Sequence, residues 1–285
     1  MTNDQQSGTS VDAVLERNLS PTVDLAAEPL IRSKFHSAVR KSMFLISLLG
    51  GTALWIVLAA LLSRDVASPL QVWAALVTLT ANGTFPTDIA YSVARVAIGF
   101  SAGLILAVPV AFALNAVRGL RVILDPWIQF FRVIPPIALI PLVIVFFGIG
   151  ETAKVSVIFF AVFLTVLITT YQGIRMIDAT LMRAARVLGT HGWRLFAKVI
   201  VPAAIPSIFT GARLGIASGW TTLVAAELIA ASHGLGFMIT QAGQYFDLST
   251  IYLGIITIGV LGFLFDWLLL RLERRITSWA DVAER

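Results

Sequence analysis

From residue 43 onward the chain is dominated by long apolar stretches separated by short polar ones. A hydrocarbon core about 30 Å thick takes about twenty helical residues to cross. Apolar windows suited to this fall at residues 43–62, 89–117, 133–148, 155–172, 208–231 and 251–270. The second is entered through an amphipathic turn over Ser92 to Arg95, and the third is short and interrupted by Pro135, Pro136 and Pro141. The pattern predicts an all-α membrane protein with six transmembrane helices. Residues 1–40 hold no such window, and they lack the basic start, short apolar core and cleavage site of a secretory signal. The expected organisation is a polar, partly disordered tail over 1–40 followed by a transmembrane domain over 41–285.

Composition supports a lipid environment. Of 285 residues, 58% are hydrophobic and 13% charged, and the mean hydropathy is +0.87, more apolar surface than one soluble core could hide. The net charge of +5 changes the picture only through where the cations lie. One set of connecting segments holds Arg17, Arg32, Lys34, Arg40 and Lys41, then Arg118 and Arg121, then Arg175, Arg183, Arg186, Arg194, Lys198 and Arg213, then Arg271, Arg274, Arg275 and Arg285. The other set holds Arg64 and Lys154, with Arg95 at a helix edge. The positive-inside rule then puts both termini, and the tail over 1–40, in the cytoplasm. These clusters form no basic stripe with interleaved aromatics, which argues against nucleic-acid binding. The absence of cysteine excludes disulfides and thiolate chemistry. His36, His191 and His233 have no ligand spacing, so no metal site is expected.

The most informative polar segment is the loop over about 178–202, which this topology makes cytoplasmic. Asp178 is placed to cap a helix, and Leu181, Ala184, Ala185 and Leu188 share a face by three- and four-residue spacing. Gly189 supplies a left-handed stop. Trp193, Phe196 and Val199 outline a second short helix that returns the chain to the membrane at Pro202. The alanine pair leaves a shallow face that another protein's groove can approach, with Arg183 and Arg186 at its rim. Spacing alone fits equally a cationic helix lying in the lipid headgroups.

Ala184-Ala185, then Gly189 after three residues, then Val199-Ile200-Val201-Pro202 after nine more, resembles the coupling motif of the permeases of binding-protein-dependent ATP-binding cassette (ABC) importers. Arg183 stands where the general motif has Glu. Further on, Arg132-Val133-Ile134-Pro135-Pro136, Phe146 to Glu151, the run from Gly219 to Ala231, Gly234 to Ile239 and the segment from Leu272 to Trp279 are similar to the nitrate, sulfonate and taurine branch, and within it to taurine permeases, which also carry Arg at the position of Arg183. The resemblance implies a type I permease fold and a homodimer. It also implies two separate ATPase subunits that bind ATP and Mg, and a periplasmic solute-binding protein. It assigns Arg183, Ala184, Ala185, Arg186, Leu188, Gly189 and Pro202 to coupling with the ATPase, and implies alternating-access import of taurine or a related organosulfonate, with nitrate, cyanate or another small anion as the alternative cargo. The chain itself has no phosphate-binding loop of the Gly-x-x-x-x-Gly-Lys-Ser/Thr type, so it is expected to be a transport subunit, with no catalytic residues and no cofactor of its own. An ion-driven secondary transporter would call for more spans, internal repeats and paired intramembrane acids. A non-transporting scaffold would have no use for a deep carboxylate.

Intramembrane polar and helix-breaking residues supply the pathway candidates. Glu227 lies deep in the fifth window with no cation nearby in sequence; it either lines the pathway or hydrogen-bonds a neighbouring helix. Arg132 can hold a sulfonate in a planar fork or snorkel to the interface and pair with Asp125. Pro135 and Pro136 free backbone carbonyls that only protein or a water-filled cavity can satisfy. Trp220 lies in the run shared with the taurine permeases, and Met238 with Phe237 could form a hydrophobic gate or simply pack. The repeats Gly99/Gly103 and Gly211/Gly215/Gly219 are read as surfaces for close helix packing.

Overall fold

The computed structural model describes residues 66–277 together with most of 43–62. The tail over 1–40 lies outside the described residues, as do Ser278 and Trp279 of the C-terminal motif. Two units are distinguished, Met1–Ser63 and Arg64–Arg285. In the first, α1 is the apolar helix Leu49–Leu61, shorter than the window at 43–62.

The described part of the second unit is built of helices and short connections. Ser68 starts α2 (Pro69–Ala81) with a capping box: its hydroxyl accepts from the Gln71 amide while the Gln71 side chain accepts from the Ser68 amide. The helix α3 (Thr84–Ala116) runs unbroken through Ser92 and Arg95, so these residues form part of a long span and no separate entry turn. Arg121 of α4 (Arg118–Val133) closes the other end of α3, donating from Nε to the Leu114 carbonyl and from Nη2 to that of Asn115.

The third window takes a different form from the single span read at 133–148. A residue preceding proline is pushed out of the helical region, and Ile134 (ψ 117°) and Pro135 (ψ 128°) are both extended. Here α4 stops. A 3₁₀ turn (Pro136–Leu139) and α5 (Ile140–Phe147) follow, bent by 94° from α4.

Next come α6 (Glu151–Arg175), α7 (Ala179–Val187), α8 (Gly192–Leu195), a π-helical turn (Phe196–Ile200), α9 (Val201–Ala230), α10 (Leu235–Gln244) and α11 (Leu248–Ile276). The π turn has a local cause: Pro202 has no N–H to offer Lys198 and its ring crowds that carbonyl, so the backbone widens and the Val201 amide reaches Phe196 instead. Among the described residues, four helical segments are long and apolar enough to cross a membrane: α3, α6, the run Gly192–Ile229 and α11.

At the centre lies α6, buried from Ala153 to Tyr171 along most of its faces and flanked by α3 and α9. In lipid, helices associate through close contact and interhelical hydrogen bonds, because lipid tails are as apolar as leucine. Both glycine repeats serve this contact. A Cβ on Gly99 would stand 2.7 Å from Ile158 Cγ2, and one on Gly215 would stand 2.8 Å from Val166 Cγ2. Val162, between them on α6, meets Gly103 from α3 and Gly219 from α9. The bundle therefore has two ends. One gathers the starts of α3, α6 and α11 with the end of α9, and the other carries the 178–202 loop.

Candidate functional site

At the loop end, Asp178 accepts from the Thr180 amide at 2.7 Å and starts α7. Gly189 has φ +78°, and the Leu188, Gly189 and Thr190 amides close the helix on the carbonyls of Ala184, Arg186 and Ala185. Consecutive helical positions are about 100° apart, so the alanine pair is divided. Ala185 is buried, whereas Ala184 is exposed along with Leu181, Val187 and Leu188. Arg183, Arg186 and Trp193 are exposed around this apolar knob, and Pro202 sits at the start of α9. Behind the loop an apolar cavity of about 660 Å³ lies between Pro109 and Phe112 of α3 and Trp193 and Phe196.

At the other end, Asp88, Ser92 and Arg95 stand on one face of α3 by four- and three-residue spacing. All three are buried. Arg95 Nη1 donates to Glu227 Oε1 at 2.6 Å and to the His233 carbonyl at 2.7 Å. Its Nη2 donates to Glu151 Oε1 at 2.6 Å, and its Nε to Glu151 Oε2. Lys154 donates to the same Glu151 at 2.9 Å. Glu227 also accepts from Ser92 Oγ at 2.8 Å and from the Gly236 amide at 2.8 Å. Two further amides of the turn after α9 are taken up by α3: Gly234 donates to Asp88 at 2.7 Å and Leu235 to Ser92 Oγ at 2.9 Å. The His233 ring stacks on Tyr91 with centroids 5.0 Å apart. One guanidinium thus ties the starts of α3 and α6 to the end of α9 and the turn that follows it.

Glycine is required at the centre of that turn. Gly234 has φ +125°, and a Cβ there would lie 2.4 Å from Glu227 Oε1. The Glu227 side chain is 0% exposed and that of Arg95 is 2% exposed. Glu227 is therefore enclosed, with its hydrogen bonds made to a neighbouring helix and to the turn after α9.

The other pathway candidates are dispersed. Met238, with Phe237, lines a cavity of about 670 Å³ bordered by Asp88, His233, Tyr245 and Asp247. Trp220 is buried, packed edge-on against Phe265 of α11, and its indole N–H meets no acceptor among the described residues. Arg132 is exposed at the last turn of α4, next to the bend at Pro135 and Pro136. No group of three or more His, Asp or Glu is placed to hold a metal among the described residues.

Sequence reading missed two partners. Arg95 is 132 positions from Glu227, and the available signal was the Asp88/Ser92/Arg95 spacing inside an apolar run. Arg213, counted above with the cytoplasmic cations, lies well inside α9 and forms a fork with Asp266 of α11 at 2.7 and 3.0 Å.

Comparison with known proteins agrees with this architecture. The family model for the binding-protein-dependent transport system inner membrane component matches residues 99–278. A probable ABC transporter permease protein of Brucella abortus strain 2308 is 47% identical over 239 residues, covering 84% of this chain and 96% of the relative. The taurine transport system permease protein TauC of Escherichia coli K12 is 38% identical over 216 residues, covering 74% and 78%. The bicarbonate transport system permease protein CmpB of Synechococcus elongatus is 38% identical over 196 residues, covering 68% and 70%. Among solved structures, an inward-facing form of the MetNI methionine ABC transporter shares the fold, with a TM-score of 0.56 at 20% identity over 66% of this chain and 93% of that one. On these grounds the chain belongs to the binding-protein-dependent transport system inner membrane components, and is the membrane-spanning permease subunit of an ABC transporter in which a separate subunit hydrolyses ATP.

Proposed function

We propose that this permease imports taurine or a related organosulfonate across the bacterial inner membrane by alternating access. The observation carrying the mechanism is the exposed apolar knob of Ala184, Val187 and Leu188, closed by a left-handed Gly189. Such a knob can be gripped by a partner and displaced without unpacking the bundle. Arg183, Ala184, Arg186 and Leu188 are its contact residues. Ala185, Gly189 and Pro202 set its shape. ATP and Mg on two partner ATPase subunits drive them together. The loops of a permease homodimer follow, and the cavity between the two copies opens outward to a solute-binding protein. Hydrolysis resets it inward.

Six spans per copy are proposed: the window at 43–62, the four long segments, and the bent unit of α4 with α5. Orientation has one support, namely that Arg118, Arg121, Arg175, Arg183, Arg186, Arg194, Lys198, Arg271, Arg274 and Arg275 gather at the loop end. By the positive-inside rule that end is cytoplasmic, with both termini and the tail over 1–40.

Identity to TauC supports taurine as cargo, and the bicarbonate relative favours a small anion as the second reading. The deciding measurement is ATPase stimulation of the complex, with its binding protein, by taurine, ethanesulfonate, bicarbonate and nitrate in turn. Stimulation by bicarbonate or nitrate alone would replace the organosulfonate reading. For coupling, Leu188→Glu is expected to abolish ATP-driven uptake with the permease still folded, and normal uptake would refute the knob as the gripping surface.

A further inference from the structure

The Arg213–Asp266 pair has no task in the packing described so far. At 1.5 Å per residue Arg213 stands about 18 Å from the start of α9, and Asp266 about 15 Å from the end of α11. Both fall within hydrocarbon depth for helices of 30 and 29 residues. The fork is planar and bidentate, at 2.7 and 3.0 Å. Yet the two side chains are 36% and 39% exposed. Charged groups at that depth do not face lipid; they turn toward the bundle interior or a water-filled cavity.

The surroundings indicate which side is wet. Thr210, Leu214, Ala217 and Thr221 continue the uncovered strip of α9 past Arg213 with mostly small or hydroxyl side chains. The outer face of α11 instead presents Ile255, Val260, Phe263, Leu264 and Trp267, a surface suited to lipid. The ion pair thus sits at the boundary between an apolar outer face and a strip fit to wall an aqueous passage. Asp266 occupies Nε and Nη2 of Arg213, and no acceptor among the described residues engages Nη1.

We propose that the Arg213–Asp266 pair is a pathway site for a zwitterionic aminosulfonate, with the sulfonate taken by the Arg213 fork and the ammonium by Asp266. This rests on the organosulfonate reading above. The chemistry is an exchange of partners. A sulfonate presents oxygens that a guanidinium binds in the geometry it uses for carboxylate. The ammonium released from water meets the carboxylate the guanidinium has left. Net charge at the site stays zero before, during and after the exchange, so no unbalanced charge is left at low-dielectric depth. A plain anion would leave one negative charge uncompensated. Arg95, closed over by its partners, has no open side for such an exchange.

The experiment uses the whole complex with its binding protein in proteoliposomes. Wild type, Asp266→Asn and the double variant Arg213→Met/Asp266→Leu are compared for recovery of the intact complex and for ATP-driven taurine uptake. Joint replacement of an ion pair by apolar groups of similar volume is often neutral for the fold. The expectation is wild-type recovery of the double variant with taurine uptake reduced about tenfold or more in both variants, the loss expected for a charged hydrogen-bond partner. Wild-type uptake by the double variant overturns the site, and so does its failure to assemble, which would make the pair structural. Because the chain has no cysteine, Ala217→Cys can be probed with a water-soluble thiol reagent. Labelling slowed by taurine is expected there but not at Phe263→Cys, and no labelling of Ala217→Cys also overturns the site. The organosulfonate reading fails separately, if the wild-type complex carries bicarbonate but neither taurine nor ethanesulfonate.

Discussion

Among the described residues, Arg95 and Arg213 each pair with carboxylates within the bundle, and their surroundings are opposite. Arg95 and Glu227 are sealed, and nearly every polar atom around them is committed: Ser92, Glu151 and the amides of residues 234–236 fill the remaining positions. Arg213 and Asp266 form a bidentate fork but leave more than a third of each side chain uncovered. A buried pair is costly to desolvate, and removing one partner leaves an uncompensated charge. The closed pair therefore acts as a fastener among α3, α6, α9 and the turn leading into α10. The open pair can change partners. Burial and saturation, more than residue type, separate a charge that holds the fold from one able to meet a solute.

Substitutions should widen or erase that contrast, and the largest effect is expected at Arg95. Arg95→Met strands the enclosed Glu227 carboxylate and should cost about 3–5 kcal/mol, read as lost recovery of folded complex. Arg95→Lys should rescue little, since one ammonium cannot replace a fork that serves two carboxylates and a carbonyl. Gly234→Ala comes next, at about 1–3 kcal/mol for a forced backbone region, seen as a lowered Tm of the purified complex. Glu151→Gln acts on a carboxylate that is 53% exposed and should cost about 1 kcal/mol or less. For Arg213→Met/Asp266→Leu the change in Tm should be the smallest, close to zero, although its effect on uptake is large. If that double variant unfolds as readily as Arg95→Met, the two pairs are not different in kind.

Much of the scaffold was legible in order along the chain. The apolar windows at 89–117, 155–172, 208–231 and 251–270, the Asp178 cap, the left-handed Gly189 and the glycine repeats all depend on neighbours within a few residues, and each has its expected structural counterpart. Proline at 135 and 136 marked the interruption, but the 94° bend appears only once both preceding residues are seen extended. The alanine pair was visible as a motif, whereas its division into one inward and one outward residue required knowing which side of α7 meets the bundle. Glu227 stood out as a deep carboxylate, yet its cation was assigned to a helix edge. Asp266 drew no notice because an acid in a long apolar helix has no local partner to mark it.

By itself, the sequence determined that this is a helical membrane protein, where four of its long apolar helices lie, and that one loop between apolar spans carries a capped helix ended by a left-handed glycine. Helical periodicity, capping and backbone restriction at proline and glycine are interactions over a few positions, so they are written locally. Only the tertiary structure decided which charges meet and which are shut away. That depends on how closely α3 and α9 approach α6, a distance set by glycines of two helices against the β-branched side chains of a third. Three helices must therefore come together before Arg95 can reach Glu227, while the packing of α9 beside α11 leaves Arg213 and Asp266 half open.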